Sequence, residues 1–289
     1  MKPLFLTTAL LLALGHAGSA QAFNFGQALE KLNDPNVQKA LNVGKKIAEA
    51  NAEVTEPGEI EIGNGIAANL LGAAPLLRND AAQKYVNRVG RWLSLHTERP
   101  GLPWRFGIID SPNVNAFAMP GGTILITRGL YEKLRNESEL AGVLAHEMAH
   151  VLQRHQIKAI KTALGREWKL DIATAVAEQK DNSDARRSLR AFSAGTELFT
   201  RGLDKRDEFE ADRMGVVIAA RAGYNPFGLV GSLQTLDAVN PEDGAMALMF
   251  QTHPSPAARL EKLSASMGET LDALAERAKE PARFVPLKK

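Results

Sequence analysis

The sequence predicts an α+β fold in which helices surround one small β-sheet. Three observations carry that expectation: helix-period apolar spacing over most of the chain, three short β-prone runs confined to residues 104–127, and turn residues separating those runs. The composition, 45% hydrophobic and 24% charged, is that of an ordinary globular chain, and 289 residues suffice for one substantial core.

Taken in order, residues 1–22 read as an export signal. Lys2 supplies a positive start, Leu4 to Leu14 an apolar run, and Ala20 and Ala22 a small-residue cleavage site. That run is well short of the roughly 20 residues needed to cross a bilayer, so cleavage rather than anchoring is expected. Losing Lys2 takes the formal charge one below +2, to about +1. No second stretch reaches spanning length, so no integral membrane span is expected in the mature chain. Cysteine is absent, which excludes disulfides and a lipid-bearing N-terminal cysteine. No Lys/Arg cluster is interleaved with aromatics, so nucleic acid is not an expected partner.

Residues 23–77 form an expected N-terminal helical segment interrupted at Pro35, Pro57 and Pro75, followed by the main domain at 78–267 and a helical tail at 268–289. Asp80 to His96 reads as an amphipathic helix with Ala82, Tyr85, Val86, Val89 and Trp92 on its apolar face and His96 as its C-terminal cap. Trp104–Ile109, Asn115–Met119 and Thr123–Thr127 make the sheet, separated by Ser111-Pro112 and Pro120-Gly121-Gly122. From Arg128 onward the pattern is helical, with a polar, Ala/Arg-rich stretch from Gln179 to Gly195 suited to a lid or a loose surface segment.

Chemistry concentrates in His146-Glu147-Met148-Ala149-His150. Asn136 with Glu139 three residues on resembles a capping box, and Leu140, Val143, Leu144, Met148 and Val151 supply a core-facing side, so the segment sits inside a helix. His146 and His150 then lie one turn apart on one face, where both imidazoles can bind a single ion about 2.0–2.1 Å away. Gly142, one turn earlier, is expected to leave space beside them. Glu147 is rotated by about 100°, off the two-histidine axis, where a carboxylate can act as general base on a metal-bound water. H-E-x-x-H arises by accident roughly once in a hundred chains of this length, so the match is informative. His155, about 140° around the helix from His150, is expected to be structural.

A third metal ligand is offered by Glu208-Phe209-Glu210-Ala211-Asp212. In a helix Glu208 and Asp212 share a face, so Glu208 can bind the ion while Asp212 accepts the N–H of a ligating histidine, with Glu210 toward solvent. Two imidazoles and one carboxylate suit Zn2+, one per chain. Asn115, Ala116 and Phe117 are candidate substrate contacts if their strand is a sheet edge, since an extended peptide adds to an edge through backbone hydrogen bonds. The alternative is an internal strand with Asn115 starting a turn.

These residues resemble the gluzincin metallopeptidases that include the CAAX prenyl proteases, the HtpX-type membrane heat-shock proteases and the mitochondrial Oma-type proteases. The resemblance runs from about Ile60 to Leu263 and includes Tyr85-Val86-Asn87, Asn115 to Gly122, Thr127 to Leu130, Glu139-Leu140-Ala141, Val143 to His150, Glu210 to Arg213 and His253-Pro254. It implies that His146, His150 and Glu208 are zinc ligands and Glu147 the catalytic base. It further implies an active-site position for His253, as oxyanion stabiliser or reversible fourth ligand. Arg259 is either an oxyanion partner or a member of a structural ion pair. Lacking spanning helices, the chain looks like the soluble periplasmic branch, which implies envelope protein quality control, unfolded or misfolded exported polypeptides as substrates, and association with outer-membrane assembly factors. The tail after Leu263 is too short for the repeat array that some of those relatives carry. A chaperone-like client-binding protein with a latched, silent zinc site is the rival reading.

Overall fold

The computed structural model describes residues 53–162, 203–240, 242–278 and 284–287. The expected signal segment, most of the N-terminal helical segment and the Gln179 to Gly195 stretch lie outside the described residues.

The first described helix, α1 (Glu56–Ala73), begins where the sequence suggested an interruption. Thr55 caps it, and Pro57 occupies the first turn, where a missing N–H costs nothing. Helix α2 (Asp80–Ser94) starts at Asn79, whose side chain accepts from the Ala82 N–H. It buries Ala82, Tyr85, Val86, Val89 and Leu93. Trp92, expected on that face, instead stands 48% exposed with its indole N–H donated to the Ala222 carbonyl at 2.9 Å. Leu93 takes the core position because 82, 86, 89 and 93 follow the helical period more closely. His96 Nδ1 lies 3.0 Å from the Trp92 carbonyl, closing the helix end.

The sheet has three strands, β1 (Arg105–Ile109), β2 (Ala116–Met119) and β3 (Thr123–Thr127), in the order β1-β3-β2. β1 runs parallel to β3, with Phe106 opposite Ile124, and β2 runs antiparallel to it, with Phe117 opposite Leu125. Among the described residues β2 pairs with β3 along one side. Its turn into β3 needs Gly121 and Gly122, at φ 79° and 103°, where a side chain would be strained. The α+β class expected from sequence is the observed one.

After the short α3 (Arg128–Lys133), helix α4 (Glu137–Leu152) carries His146 to His150 through the centre of the molecule, with every residue from Glu137 to Val151 buried. A turn at Gln153–Arg154 ends it, and residues 155–162 are helical again. Helices α5 (Lys205–Arg221) and α6 (Gly228–Asp237) both pack against α4. Behind them come α7 (Ala247–Thr252), α8 (Pro256–Ser266) and α9 (Glu269–Arg277).

Two glycines set how closely these helices approach. A Cβ on Gly142 would stand 2.5 Å from the Leu229 backbone N, and one on Gly215 would stand 2.8 Å from that of His146. Gly142 therefore admits the α6 backbone rather than opening space beside the histidines, which corrects the sequence expectation. Gly215 lets α5 lie directly against the histidine-bearing turn. Among the described residues, no helix is long and apolar enough to cross a membrane.

Candidate metal centre

Asn136 Oδ1 accepts the Glu139 N–H at 2.8 Å and fixes the start of α4. The return arm of the expected capping box is displaced by one residue: the Glu139 carboxylate accepts from the Arg135 backbone N–H at 2.8 Å and from Arg135 Nε at 2.7 Å. From that start, helical geometry brings His146 Nε2 within 3.2 Å of His150 Nε2. Glu208, in the first turn of α5 and fully buried, puts Oε1 3.3 Å from His150 Nε2 and Oε2 3.8 Å from His146 Nε2. His253, at the end of α7, joins them with Nδ1 2.7 Å from Glu208 Oε2. Ligand atoms of His146, His150, Glu208 and His253 all lie within 4.8 Å of one another.

This donor set fits a tetrahedral ion. With bonds of about 2.0–2.1 Å, neighbouring ligand atoms should be roughly 3.3–3.4 Å apart, close to the separations at His150. Among the described residues Glu208 Oε1 is also buried without a hydrogen-bond partner, an arrangement that is costly unless something charged faces it.

Around the four stand their supports. Asp212, one turn past Glu208, places Oδ1 3.0 Å from His146 Nδ1. Arg259, buried on α8, donates Nε to Asp212 Oδ2 at 3.0 Å and Nη2 to Oδ1 at 2.5 Å. Both ends of its guanidinium are thus directed at Asp212, with Nη2 also 3.2 Å from His146 Nδ1.

The electrostatics sort the carboxylates. Burial pushes Glu208 upward, but the charge and hydrogen bond of His253, with His150 and His146, hold it well below the usual carboxylate range. Burial likewise opposes ionisation of Asp212, and Arg259 and His146 overcome it. Glu147 is different: burial raises its carboxyl above the ordinary value despite the pull of His146 and His253. Burial drives the His150 ring well below its usual value and keeps it neutral, the form that binds metal. Burial would lower His253 too, but Glu208 outweighs it and the net shift is upward.

Two small clefts meet at Glu147 and His253. One includes Asn115, Ala116, Leu229 and Arg259; the other includes Ala116, Phe117, His150, Gln156 and Glu208. β2 runs along both. Asn115 itself is pinned, its N–H donated to Thr127 Oγ1 at 3.0 Å and its carbonyl accepting the Thr127 N–H, while its buried Nδ2 has no hydrogen-bond partner among the described residues.

Sequence reasoning missed two neighbours of the centre. Gln156 is buried with Oε1 unpartnered beside His150. His155 does not project away as helical continuity implied: α4 ends at Leu152, and the turn returns His155 to within 2.9 Å of His150 Nδ1. Glu210 is 45% exposed, as expected for a solvent-facing residue, but its carboxylate also lies 3.8 Å from His155 Nε2.

Comparison with known proteins agrees with this architecture. The chain is 29% identical over 205 residues to the beta-barrel assembly-enhancing protease of Escherichia coli (strain K12), an alignment covering 70% of this chain and 42% of that protein. It is 30% identical over 179 residues to the mitochondrial metalloendopeptidase OMA1 of Schizosaccharomyces pombe, covering 62% and 51%. With the metalloprotease LoiP of Escherichia coli it shares 31% over 163 residues, covering 56% and 62%. The chain thus spans less than half the length of the first of these relatives. The model of peptidase family M48 matches residues 80–267, the stretch that holds α4, the sheet and Glu208, and the chain belongs to that family.

Proposed function

We propose that the chain is a zinc-dependent metalloendopeptidase that hydrolyses peptide bonds of unfolded or misassembled exported proteins. The observation carrying this reading is the convergence of His146, His150 and Glu208, with a buried carboxylate of raised pKa, Glu147, at the junction of two clefts. His146, His150 and Glu208 would hold zinc, which when bound would supply Lewis acidity toward the scissile carbonyl and ease deprotonation of the attacking water. Glu147 takes that proton on its carboxylate and hands it to the departing amine, a task suited to a carboxyl that burial raises above the ordinary glutamate value. Asp212 accepts the Nδ1 proton of His146 and fixes its tautomer; Arg259 orients Asp212, so its contribution runs through the ion pair rather than through the oxyanion. His253 lines both clefts beside Glu147, is bonded to Glu208, and can donate to a developing oxyanion. Asn115, Ala116 and Phe117 line the two clefts that meet at Glu147 and are the residues assigned to contact an extended peptide, a mode tolerant of sequence and suited to unfolded chains.

A periplasmic location and association with outer-membrane assembly factors are supported by the apolar N-terminal run and by the beta-barrel assembly-enhancing protease among the relatives. One observation favours the rival, a latched client-binding protein: His253 stands among the ligand groups and is bonded to Glu208 at 2.7 Å.

Two variants separate these readings. Glu147→Gln should keep stoichiometric zinc and lose cleavage of an unfolded casein substrate by about 10²–10⁴-fold; undiminished cleavage refutes Glu147 as the base. His253→Ala should lower turnover if His253 stabilises the oxyanion, whereas a rise in turnover supports a latch.

A further inference from the structure

His155 sits at a position that neither the H-E-x-x-H spacing nor the Glu208 segment explains. It is 1% exposed, and its Nδ1 lies 2.9 Å from Nδ1 of His150, on the side of that ring opposite Nε2. Its own Nε2 faces two carboxylates from the first turns of α5, Asp207 at 3.7 Å and Glu210 at 3.8 Å. Resting on the metal-centre reading above, we infer that His155 is a positioning residue for His150, the middle member of a relay from the ligand to the Asp207 and Glu210 carboxylates.

Proton bookkeeping supports one arrangement. A neutral imidazole that binds metal through Nε2 must carry its proton on Nδ1, so His150 Nδ1–H donates and His155 Nδ1 accepts. Neutral His155 then holds its proton on Nε2, the atom turned toward the two carboxylates, whose negative charge favours it there. Both tautomers are fixed by one geometry, and the ring of His150 cannot swing without breaking it.

The backbone is built to hold this geometry. Arg154 adopts φ 55°, an uncommon left-handed conformation for a residue with a side chain, and that turn brings His155 back over His150. Such strain persists only where surroundings over-determine it. Here Arg154 Nε is paired at 3.1 Å with Glu59, a carboxylate 1% exposed, and Nη1 reaches the Val54 carbonyl at 3.4 Å. His155, Asp207 and Glu210 do not form a second cation site of their own, because Lys158 Nζ already occupies Asp207 at 3.1 Å and Nδ1 of His155 is taken by His150.

The test measures metal affinity of the whole protein by competition with a chromogenic chelator, with the absorption spectrum of the Co2+ form as a second readout. His155→Leu removes the acceptor and keeps the bulk; His155→Gln keeps an acceptor toward His150 and a donor toward the carboxylates. Zinc affinity should fall about 10–100-fold in the leucine variant and return to within about threefold of wild type in the glutamine variant, while both apo-proteins melt close to wild type. The Co2+ spectrum should shift only in the leucine variant. Leucine binding zinc as tightly as wild type, or glutamine binding as weakly as leucine, overturns the assignment. Should the leucine variant not fold, Asp207→Asn combined with Glu210→Gln replaces it: a several-fold weaker site supports the relay, and an unchanged one refutes it. Wild type that takes up no zinc would sink the metal centre itself, whereas wild type holding one ion beside an indifferent leucine variant sinks this inference alone.

Discussion

At the scale of single residues, the most instructive side chain is one that is missing. Gly215 has no catalytic chemistry, yet a methyl group there would meet backbone atoms of His146 at 2.8 and 2.9 Å, atoms that cannot rotate aside. Alanine favours a helix over glycine by about 1 kcal/mol, but overpacking against backbone costs about 1–3 kcal/mol, and here the clash displaces the helix that carries Glu208. Gly215→Ala should therefore lower both melting temperature and zinc affinity. Gly244, with nothing within 4 Å of its added Cβ, is the control: Gly244→Ala should leave both unchanged or raise stability slightly. Equal behaviour of the two variants in a thermal melt and a zinc titration would contradict this account. The same scale marks the limit of sequence reading. His146, Glu147 and His150 were legible because a helix fixes their relation from spacing alone. Gly215, Gln156 and His155 were not, because their roles depend on which helix approaches and on a left-handed turn at an arginine, a residue type that gives no signal of such a conformation.

At the scale of elements, local signals located starts better than faces. Asn136 announced α4, and the prolines and glycines between strands delimited the sheet. Pro57 was read as a break although it sits in a first helical turn, because sequence alone does not say on which side of a proline the helix lies. Trp92 illustrates the other difficulty: its size and spacing suit the core, but the indole N–H needs an acceptor, found at the Ala222 carbonyl on the rim. The orientation of α4 rests heavily on its cap, since Asn136 Oδ1 accepts the Glu139 N–H, which would otherwise be buried without that partner. Asn136→Ala should destabilise the protein by about 1 kcal/mol, read as a lower denaturation midpoint at unchanged slope, with Asn136→Asp recovering most of the loss. An Asn136→Ala midpoint equal to wild type would mean that packing alone fixes the start of α4.

At the scale of the whole molecule, the proposed centre is a strap between segments far apart in the chain: α4 carries His146 and His150, α5 carries Glu208, and the segment from α7 to α8 carries His253 and Arg259. Three buried acidic groups, Glu147, Glu208 and Asp212, crowd one small volume with Arg259 as the fixed cation, and among the described residues Oε1 of Glu208, though it faces His150 Nε2, has no hydrogen-bond partner. In the proposed centre zinc would offset that arrangement by binding the native state alone, and its binding free energy would add directly to folding stability. At zinc a hundredfold above the dissociation constant the gain is about 2.7 kcal/mol, which for a domain of this size raises the melting temperature by roughly 5–10 °C. Removing zinc from wild type with a chelator should produce a fall of that order. Glu147→Gln should show the same zinc-dependent shift, since its carboxylate is not needed to hold the ion. Glu208→Gln, which keeps the shape but removes the anionic oxygen facing His150, should melt at nearly the same temperature with and without zinc at that concentration. A full zinc-dependent shift in Glu208→Gln would instead mean that two histidines with His253 suffice to bind the ion, and that Glu208 serves mainly as the partner of His253.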